Sequence, residues 1–428
     1  MKGVIAWIKS RLLIVICCVL IVLLLPAGYV VSGMFNKKIQ SRAADSFNTE
    51  QRKLRSKSKV TYQLPAIFEG EDDIEDSRAP NAQVTGFYEH AREERTRQVS
   101  AVVQEASVFN RRGRTPLIDG LLPAPADERD RRLVQDMAKR ISGRRTGDGQ
   151  FPLMAQMLRE IGAGGAIADS VLAEDLNDFR ESEIERLEGA SESGRLTPEQ
   201  EEELDAELRR RRLSAYASRS ADLSVYATPE IFEVQGAGGQ GFGPLEPEPT
   251  SREYTEDDAF RWQFDIWVFE DILASIEQSN AQGAGVAESV VKRVESVRLF
   301  GFEPNEQDGT IYGAPATHTE RKTEKTNPVY DVRHGRLTAV VSAEQLPRFI
   351  DALGATNFIS VTGVHLTKVD PWGELQTGYY YGPDAVVRAE LDLECVYLRD
   401  WIVNYMPESV RTALGVVLPG NENAEDGG

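Results

Sequence analysis

Residues 12 to 35 read LLIVICCVLIVLLLPAGYVVSGMF, a run of 24 residues without a charged side chain. A helix needs about 20 apolar residues to cross the core of a bilayer. Two basic residues lie just before this run and two lie just after it. A cleaved secretory signal is the competing interpretation, because a basic start and an apolar run that reaches Pro26 are typical of one. The run continues to Phe35, however, which is longer than a usual signal core and favours an uncleaved single-pass anchor.

The anchor divides the chain into a short segment, residues 1–11, and a body that begins at residue 36. Basic residues flank the anchor on both sides, so the preference for positive charge in the cytoplasm gives only a weak bias. An anchor close to the N-terminus, followed by a large polar body, is most simply arranged with its N-terminus in the cytoplasm. We therefore expect the body to lie outside the cytoplasm.

The composition excludes two classes of protein. The net charge is −19 over 428 residues, which argues against nucleic-acid binding because phosphate recognition needs clustered Lys and Arg. Of the three cysteines, Cys17 and Cys18 lie in the anchor. The body then has Cys395 alone and cannot be a scaffold held by internal disulfides. Cys395 occupies the apolar phase of a predicted strand, so we expect a buried packing residue there.

Residues 36–235 are predicted to form a helical stalk and hairpin region. The first helix, residues 36–57, continues the anchor and carries a sparse apolar stripe. A second helix, about residues 83–110, has a stripe at helical spacing, for which a half-buried helix and a short coiled coil are equally good interpretations. The first stripe is Ile39, Ala43, Phe47 and Leu54, and the second includes Val99, Val102, Ala106 and Phe109.

The clearest local structure of this region is a pair of helices joined by a short polar loop. The first helix covers about residues 167–187. Thr197 and Gln200, with a proline between them, form a capping box. This box starts a second helix that is predicted to run to about Tyr226, and the two helices should pack antiparallel. Residues 236–254 form a Gly- and Pro-rich linker and mark the best domain boundary.

Residues 255–406 are predicted to form an α+β domain. The order of elements is helix, strand, strand, helix, strand, strand, and the last strand alternates apolar and charged side chains with a period of two. Four antiparallel strands with two helices on one face make a ferredoxin-like αββαββ module in circularly permuted order. The predicted strands are residues 290–300, 337–341, 358–369 and 387–397. Residues 407–428 are expected to be a short helix and a disordered acidic tail.

The first helix of this module has more apolar surface than one sheet can cover. Its two apolar rows are Ile266, Phe269 and Leu273, and Phe264, Val268 and Ile272. The first row can be buried on the sheet of the module, and the second row then needs another cover. We therefore predict that the second row is a surface for association with another copy or a partner. The alternative is that the helices between residues 83 and 227 fold over it.

The sequence predicts no catalytic, metal-binding or cofactor-binding residues. The four histidines have no second His or Cys at ligand spacing; they are His90, His318, His334 and His365. The glycine run at residues 162–165 lacks the lysine and the preceding strand of a phosphate loop, and it is predicted to be a hinge between helices. No nucleophile motif is present. We therefore expect a protein that is not an enzyme and has no cofactor or small-molecule substrate.

An aromatic group lies between the third and fourth predicted strands. It consists of Trp372 and the run Tyr379–Tyr381. Two interpretations fit it equally well: a loop tip that binds a partner, and a loop that folds back on the sheet.

The layout of the whole chain resembles PilO of type IV pilus assembly and GspM of type II secretion. The resemblance is carried by the anchor at residues 12–35, the helix at residues 262–276 and the strand at residues 387–397. The helical insertion at residues 83–227 is larger than the usual stalk of this family, which makes the chain a divergent relative.

The resemblance implies a structural role for the protein. It implies a bacterial inner-membrane protein with a periplasmic body, which dimerises with a copy of itself or with a similar pilus or secretion subunit. Such a subunit acts as a scaffold through protein–protein association. The alternative is a membrane-tethered extracytoplasmic domain, for binding or catalysis, with a pocket between the helical region and the module.

Overall fold

The computed structural model describes most of the chain. The described residues are 11–64, 72–79, 81–125, 132–142, 152–190, 195–235, 241–245, 254–301, 329–414 and 416. Four of the expectations above fall wholly or partly outside these residues. They concern the segment 1–10, His318, most of the linker 236–254 and the acidic tail.

Helices and strands are mixed along the described chain. The α-helices are α1 (Leu12–Lys57), α2 (Ala82–Arg111), α3 (Arg132–Ile141), α4 (Leu153–Glu160), α5 (Asp169–Ala190), α6 (Pro198–Ala221), α7 (Glu256–Asn280), α8 (Leu346–Thr356), α9 (Pro371–Gln376), α10 (Arg399–Ile402) and α11 (Glu408–Leu414). The strands are β1 (Val60–Leu64), β2 (Ile74–Arg78), β3 (Ala163–Gly164), β4 (Val225–Tyr226), β5 (Phe232–Gln235), β6 (Phe242–Pro244), β7 (Val291–Leu299), β8 (Tyr330–Ser342), β9 (Ile359–Lys368) and β10 (Val386–Leu398).

The chain divides into two compact units, Met1–Gln104 and Glu105–Gly428. In the first unit, α1 is one continuous helix of 46 residues that passes through Pro26. It is long and apolar enough to cross a membrane, and at about 1.5 Å per residue it measures roughly 70 Å. Strands β1 and β2 form an antiparallel hairpin. The hairpin packs on the start of α2, where the Tyr62 ring stacks on Tyr88 at 5.0 Å.

The second unit is built on one sheet. Its strand order is β3-β4-β7-β8-β10-β9, and β5 and β6 attach beside β7. The four long strands, in the order β7-β8-β10-β9, are antiparallel to their neighbours. Helices α7 and α8 pack against each other, and α7 contacts β7 while α8 contacts β9. From α7 to β10 the order is helix, strand, strand, helix, strand, strand, as predicted, except that the short helix α9 lies between the last two strands.

The sequence predicts a purely helical region at residues 36–235, and the structure differs from this prediction. Three short segments of it, strands β3, β4 and β5, join the sheet, and β4 and β5 pair in parallel with β7. The predicted long helix also ends at Ala221 instead of Tyr226. Strands of two to four residues are too short to show a period of their own. Their extended conformation depends on pairing with a neighbouring strand, which is β4 for β3 and β7 for β4 and β5.

The predicted association surface on α7 needs correction. Phe264, Val268 and Ile272 are 1%, 0% and 0% exposed within the single chain. The Phe264 ring lies against Tyr397 of β10 at 4.9 Å, so this row faces the sheet. Phe269, from the other row, lies against Phe232 of β5 at 4.8 Å.

The second row of α7 is therefore covered within the chain. Phe264, however, packs on the sheet, whereas the intramolecular alternative placed this row under the helices between residues 83 and 227. Helices α3 and α4 also contact α7, which makes them part of its cover. A helix that is apolar on all sides is buried on all sides. The covering segments are distant in sequence, so the periodicity of α7 could not reveal them.

Candidate association surfaces and a polar junction

The residues that the sequence singled out for chemistry lie apart from one another. His90 is exposed on α2, and His365 is exposed on β9. His334 is buried on β8, opposite Glu394 of β10, with 3.8 Å between His334 Nε2 and Glu394 Oε1. Among the described residues, no group of three or more His, Cys, Asp or Glu side chains could hold a metal ion.

Cys395 lies in the core, as predicted. It is 1% exposed and belongs to the main apolar cluster between the sheet and α7. Burial raises the pKa of the Cys395 thiol to about 12, because the low-dielectric surroundings disfavour the thiolate. The thiol is therefore a packing group and a poor nucleophile at neutral pH.

The tyrosines before β10 fold back on the sheet. The Arg293 guanidinium lies over the Tyr379 ring at 3.8 Å, and the Tyr381 hydroxyl donates to Glu374 at 3.1 Å. Burial raises the pKa of Tyr381 well above its ordinary value. Trp372 of α9, in contrast, is 76% exposed. The fold-back interpretation therefore holds for Tyr379 and Tyr381.

A network of ion pairs holds this loop in place. Glu374 accepts from Arg293 at 2.7 Å and from Arg388 at 3.1 Å. Arg388 also makes a two-point contact with Glu295 of β7, at 2.6 and 2.9 Å. Such two-point Arg–carboxylate pairs fix geometry as well as charge. The network thus ties α9 to the face of the sheet opposite α7.

A second polar network lies inside the unit, around Asp271 of α7, which is fully buried. Its Oδ2 accepts from the Asn357 amide and from the Tyr397 hydroxyl, both at 2.8 Å. Its Oδ1 pairs with Arg114, and Arg112 lies 3.5 Å away. A buried carboxylate needs such partners, because an unpaired one would carry a large desolvation penalty.

Asn110, the last buried residue of α2, joins this network to the end of β10. Its Oδ1 accepts from the Leu398 amide at 2.7 Å and from the Trp401 indole at 2.8 Å. Its Nδ2 donates to Asn357 Oδ1 and to the Val396 carbonyl, each at 2.8 Å. We call Asn110, Asp271 and Asn357 the polar junction. The junction fixes the C-terminal end of α2 on the sheet.

The junction could hardly be predicted from the sequence. Its members are far apart in the chain and are of types that usually lie on surfaces. The one available signal was the appearance of Asp271 inside the apolar run of α7. The junction side chains bond one another, which is the behaviour of a structural network.

Two helices of the described chain, α1 and α2, carry apolar side chains that are exposed. Beyond the apolar segment, every residue of α1 from 36 to 57 is exposed, including the stripe of Ile39, Ala43, Phe47 and Leu54. This part of α1 has seven Lys or Arg residues against two acidic residues. On α2, Val99, Val102 and Val103 are exposed, and Asn110 is the buried residue of the helix. The half-buried interpretation of α2 therefore fails over Val99–Val103.

Two of the cavities among the described residues of the second unit are large enough to consider as binding sites. One, of 360 Å³, is beside the polar junction and includes Asn357, Phe358 and Val396 in its lining. The other, of 510 Å³, lies between α5 and α6 and is lined by charged side chains such as Arg180, Arg195 and Asp205. Both are partly open to solvent, unlike a typical ligand pocket, which buries most of the surface of its ligand.

No family model matches this chain, and no curated protein or solved structure matches it either.

Proposed function

We propose that this protein is a membrane-anchored structural subunit of the PilO and GspM kind, which acts as a scaffold through protein–protein association. The observation that carries the proposal is helix α1. It continues without a break from an apolar segment of membrane length into 22 further, mostly polar residues, 36 to 57, whose side chains are all exposed.

A helix in this situation needs a partner. Most helical stability in proteins comes from packing of an apolar face and not from helix propensity. The polar half of α1 has its stripe of Ile39, Ala43, Phe47 and Leu54 uncovered by the described chain. A second helix, from another copy or another subunit, would bury this stripe. The two helices would then form a pair that continues into the membrane.

The sheet of the second unit supports the family assignment. Helix α8 connects β8 to β9, and β10 lies between these two strands. This is a split βαβ arrangement, which is a feature of ferredoxin-like folds. A second split βαβ arrangement appears if the chain order is permuted so that β10 comes before α7. Helix α7 then connects β10 to β7, and β8 lies between these two strands. This connectivity is the one expected of a permuted ferredoxin-like domain, and it supports our proposal that the segment from α7 to β10 is such a module.

The polar junction supports a structural role over a binding or catalytic one. Asp271 is fully buried and its carboxylate oxygens are satisfied by Arg114, Asn357 and Tyr397. A catalytic acid or base is expected to face a substrate pocket with its reactive atom available. Because the carboxylate of Asp271 is fully used in contacts within the chain, the polar junction is best explained as a site that stabilises the fold.

We propose that the body lies in the periplasm. One observation, however, favours a body in the cytoplasm. Seven basic residues follow the apolar segment within α1, and positive charge near a membrane segment favours the cytoplasmic side. A reporter that is active only outside the cytoplasm, fused after Gly420, should be active. Activity of a cytoplasm-only reporter at the same site would reverse the topology.

The association is tested on the complex extracted from its own membrane. We expect a protein mass above the 47.6 kDa of one chain. Phe47→Glu combined with Leu54→Glu should reduce the complex to single chains, because two charges enter the stripe. The control, Ser41→Glu with Ser56→Glu, adds the same charge to the opposite side of the helix and should leave the mass unchanged. A wild-type mass of one chain would overturn the proposal.

A further inference from the structure

Strand β9 forms an open edge of the sheet. Among the described residues it pairs only with β10, and residues 364–368 are all exposed. An unprotected edge presents unpaired backbone donors and acceptors to any strand that approaches it.

The open edge adjoins an uncovered apolar corner. Val364 and Leu366 are each 49% exposed, although they lie opposite the core residues Leu391 and Ala389 of β10. The reason is the length of α8, the helix over this end of the sheet. Its 11 residues span about 16 Å, whereas the 10 residues of β9 span about 33 Å. The far half of β9 is therefore left without a helix above it.

We propose that β9 pairs antiparallel with β9 of a second copy of this chain, about a two-fold axis through His365. This inference rests on the proposed function, and it names the partner and the surface used. In this register Val364 lies opposite the second copy's Leu366, and Leu366 lies opposite the second copy's Val364. The two apolar corners then merge on one face, which is the self-complementarity that a two-fold interface requires. The sheets of the two copies become one continuous sheet.

The charges of the strand agree with this register. The only titratable group that meets its own copy is His365, and each His365 lies beside Glu390 of its own β10. Lys368 lies opposite Thr362 of the second copy, so the lysines do not meet. Gly363 lies opposite Thr367; an added Cβ at Gly363 would come within 2.7 Å of an Asp392 carboxylate oxygen. The strand therefore has a small residue at the crowded position.

The pairing of two short strands buries less surface than a stable soluble dimer needs, about 1,200–2,000 Å² in total. The membrane anchor offsets this, because it confines two chains to one plane with their modules at a similar height, and so raises their effective concentration. The interface is thus expected in the full-length protein in its membrane.

Disulfide trapping in membranes tests the register. The background is the full chain with Cys17→Ala and Cys18→Ala, which retains the buried Cys395. Opposed residues of antiparallel strands have Cβ atoms about 4.5–5.5 Å apart, close to disulfide range. His365→Cys should give a disulfide-linked dimer on mild oxidation. Glu390→Cys, one strand further in, is the matched control and should stay at least 10-fold less linked.

A mixed experiment separates the proposed register from chance collision. Val364→Cys chains co-expressed with Leu366→Cys chains should link to each other much more than either links to itself. Equal linking at positions 365 and 390, or no linking at position 365 while the wild-type mass still exceeds one chain, would overturn the β9 pairing and leave the proposed function intact. A wild-type mass of one chain would remove both.

Discussion

Helices α1 and α7 are both apolar over long runs, yet they differ in burial within the chain. Helix α7 is buried on nearly every side by segments of its own unit, and α1 is exposed along its described length. The comparison shows that excess apolar surface on a helix does not by itself identify an interface. The decisive fact is whether the rest of the chain supplies a cover. For α7 the cover is the sheet, β5, α3 and α4; for α1 we propose the bilayer and another subunit.

The largest expected effect is that of truncating a buried aromatic ring of α7, compared with the truncation of an exposed ring of α1. Phe264→Ala should lower the free energy of unfolding by about 3–5 kcal/mol, because it removes a buried ring and leaves a cavity. Phe47→Ala on the exposed half of α1 should change the free energy of unfolding of the dissociated single chain by less than about 0.5 kcal/mol, because the Phe47 ring is exposed within the chain. Denaturant unfolding of the full-length protein in detergent measures both. Equal effects at the two positions would break the comparison.

A second pair of variants compares buried and exposed asparagines. Asn110→Ala should cost about 3 kcal/mol, because several buried groups of the polar junction lose their partners, at about 1–3 kcal/mol for each group left unpaired. Asn48→Ala, on exposed α1, is the matched control and should be close to neutral. The same unfolding measurement applies. If Asn110→Ala were neutral, the junction would not stabilise the end of α2.

The third prediction concerns the thiol of the buried core. Cys395→Ala should lower the free energy of unfolding by only about 1 kcal/mol, since the cavity left by one sulfur is small. The native protein should resist a thiol reagent, and Cys395 should react once the chain is unfolded. Mass spectrometry of the labelled peptide measures this. Rapid labelling of Cys395 in the native state would contradict its burial.

The smallest expected effect is a pH dependence of stability at His334. Burial lowers the pKa of His334 from its ordinary value of 6.5, and Glu394 offsets only part of that shift. As the pH falls below 6.5, the unfolded chain therefore takes up a proton that the folded chain resists, and the free energy of unfolding decreases. His334→Gln should reduce this decrease between pH 7.5 and pH 5.5. A variant with the wild-type pH profile would refute the assignment to His334.

Local patterns in the sequence were sufficient for several features. The period-two alternation of β10 identified its buried face, including Cys395. The capping box at Thr197 marked the start of α6, and Thr255 marked the start of α7. These signals are local because a cap or an alternating strand involves side chains only a few residues apart.

Other features depended on contacts between distant segments. The Asn110–Asn357 bond spans 247 residues, and the pairing of β5 with β7 brings together segments about 65 residues apart. No spacing within either segment encodes such a partner. The covering of Phe264, Val268 and Ile272 was mispredicted for the same reason.

The sequence by itself determined which segments are apolar and with what period, and hence the long helix α1, the four long strands of the sheet and the helix caps at Thr197 and Thr255. Only the tertiary structure decided which apolar surfaces the chain covers and which it leaves open, such as the stripe of α1 and the edge of β9. The physical reason is that burial depends on partners brought together by folding. Periodicity, in contrast, records only the direction in which a side chain points from its own helix or strand.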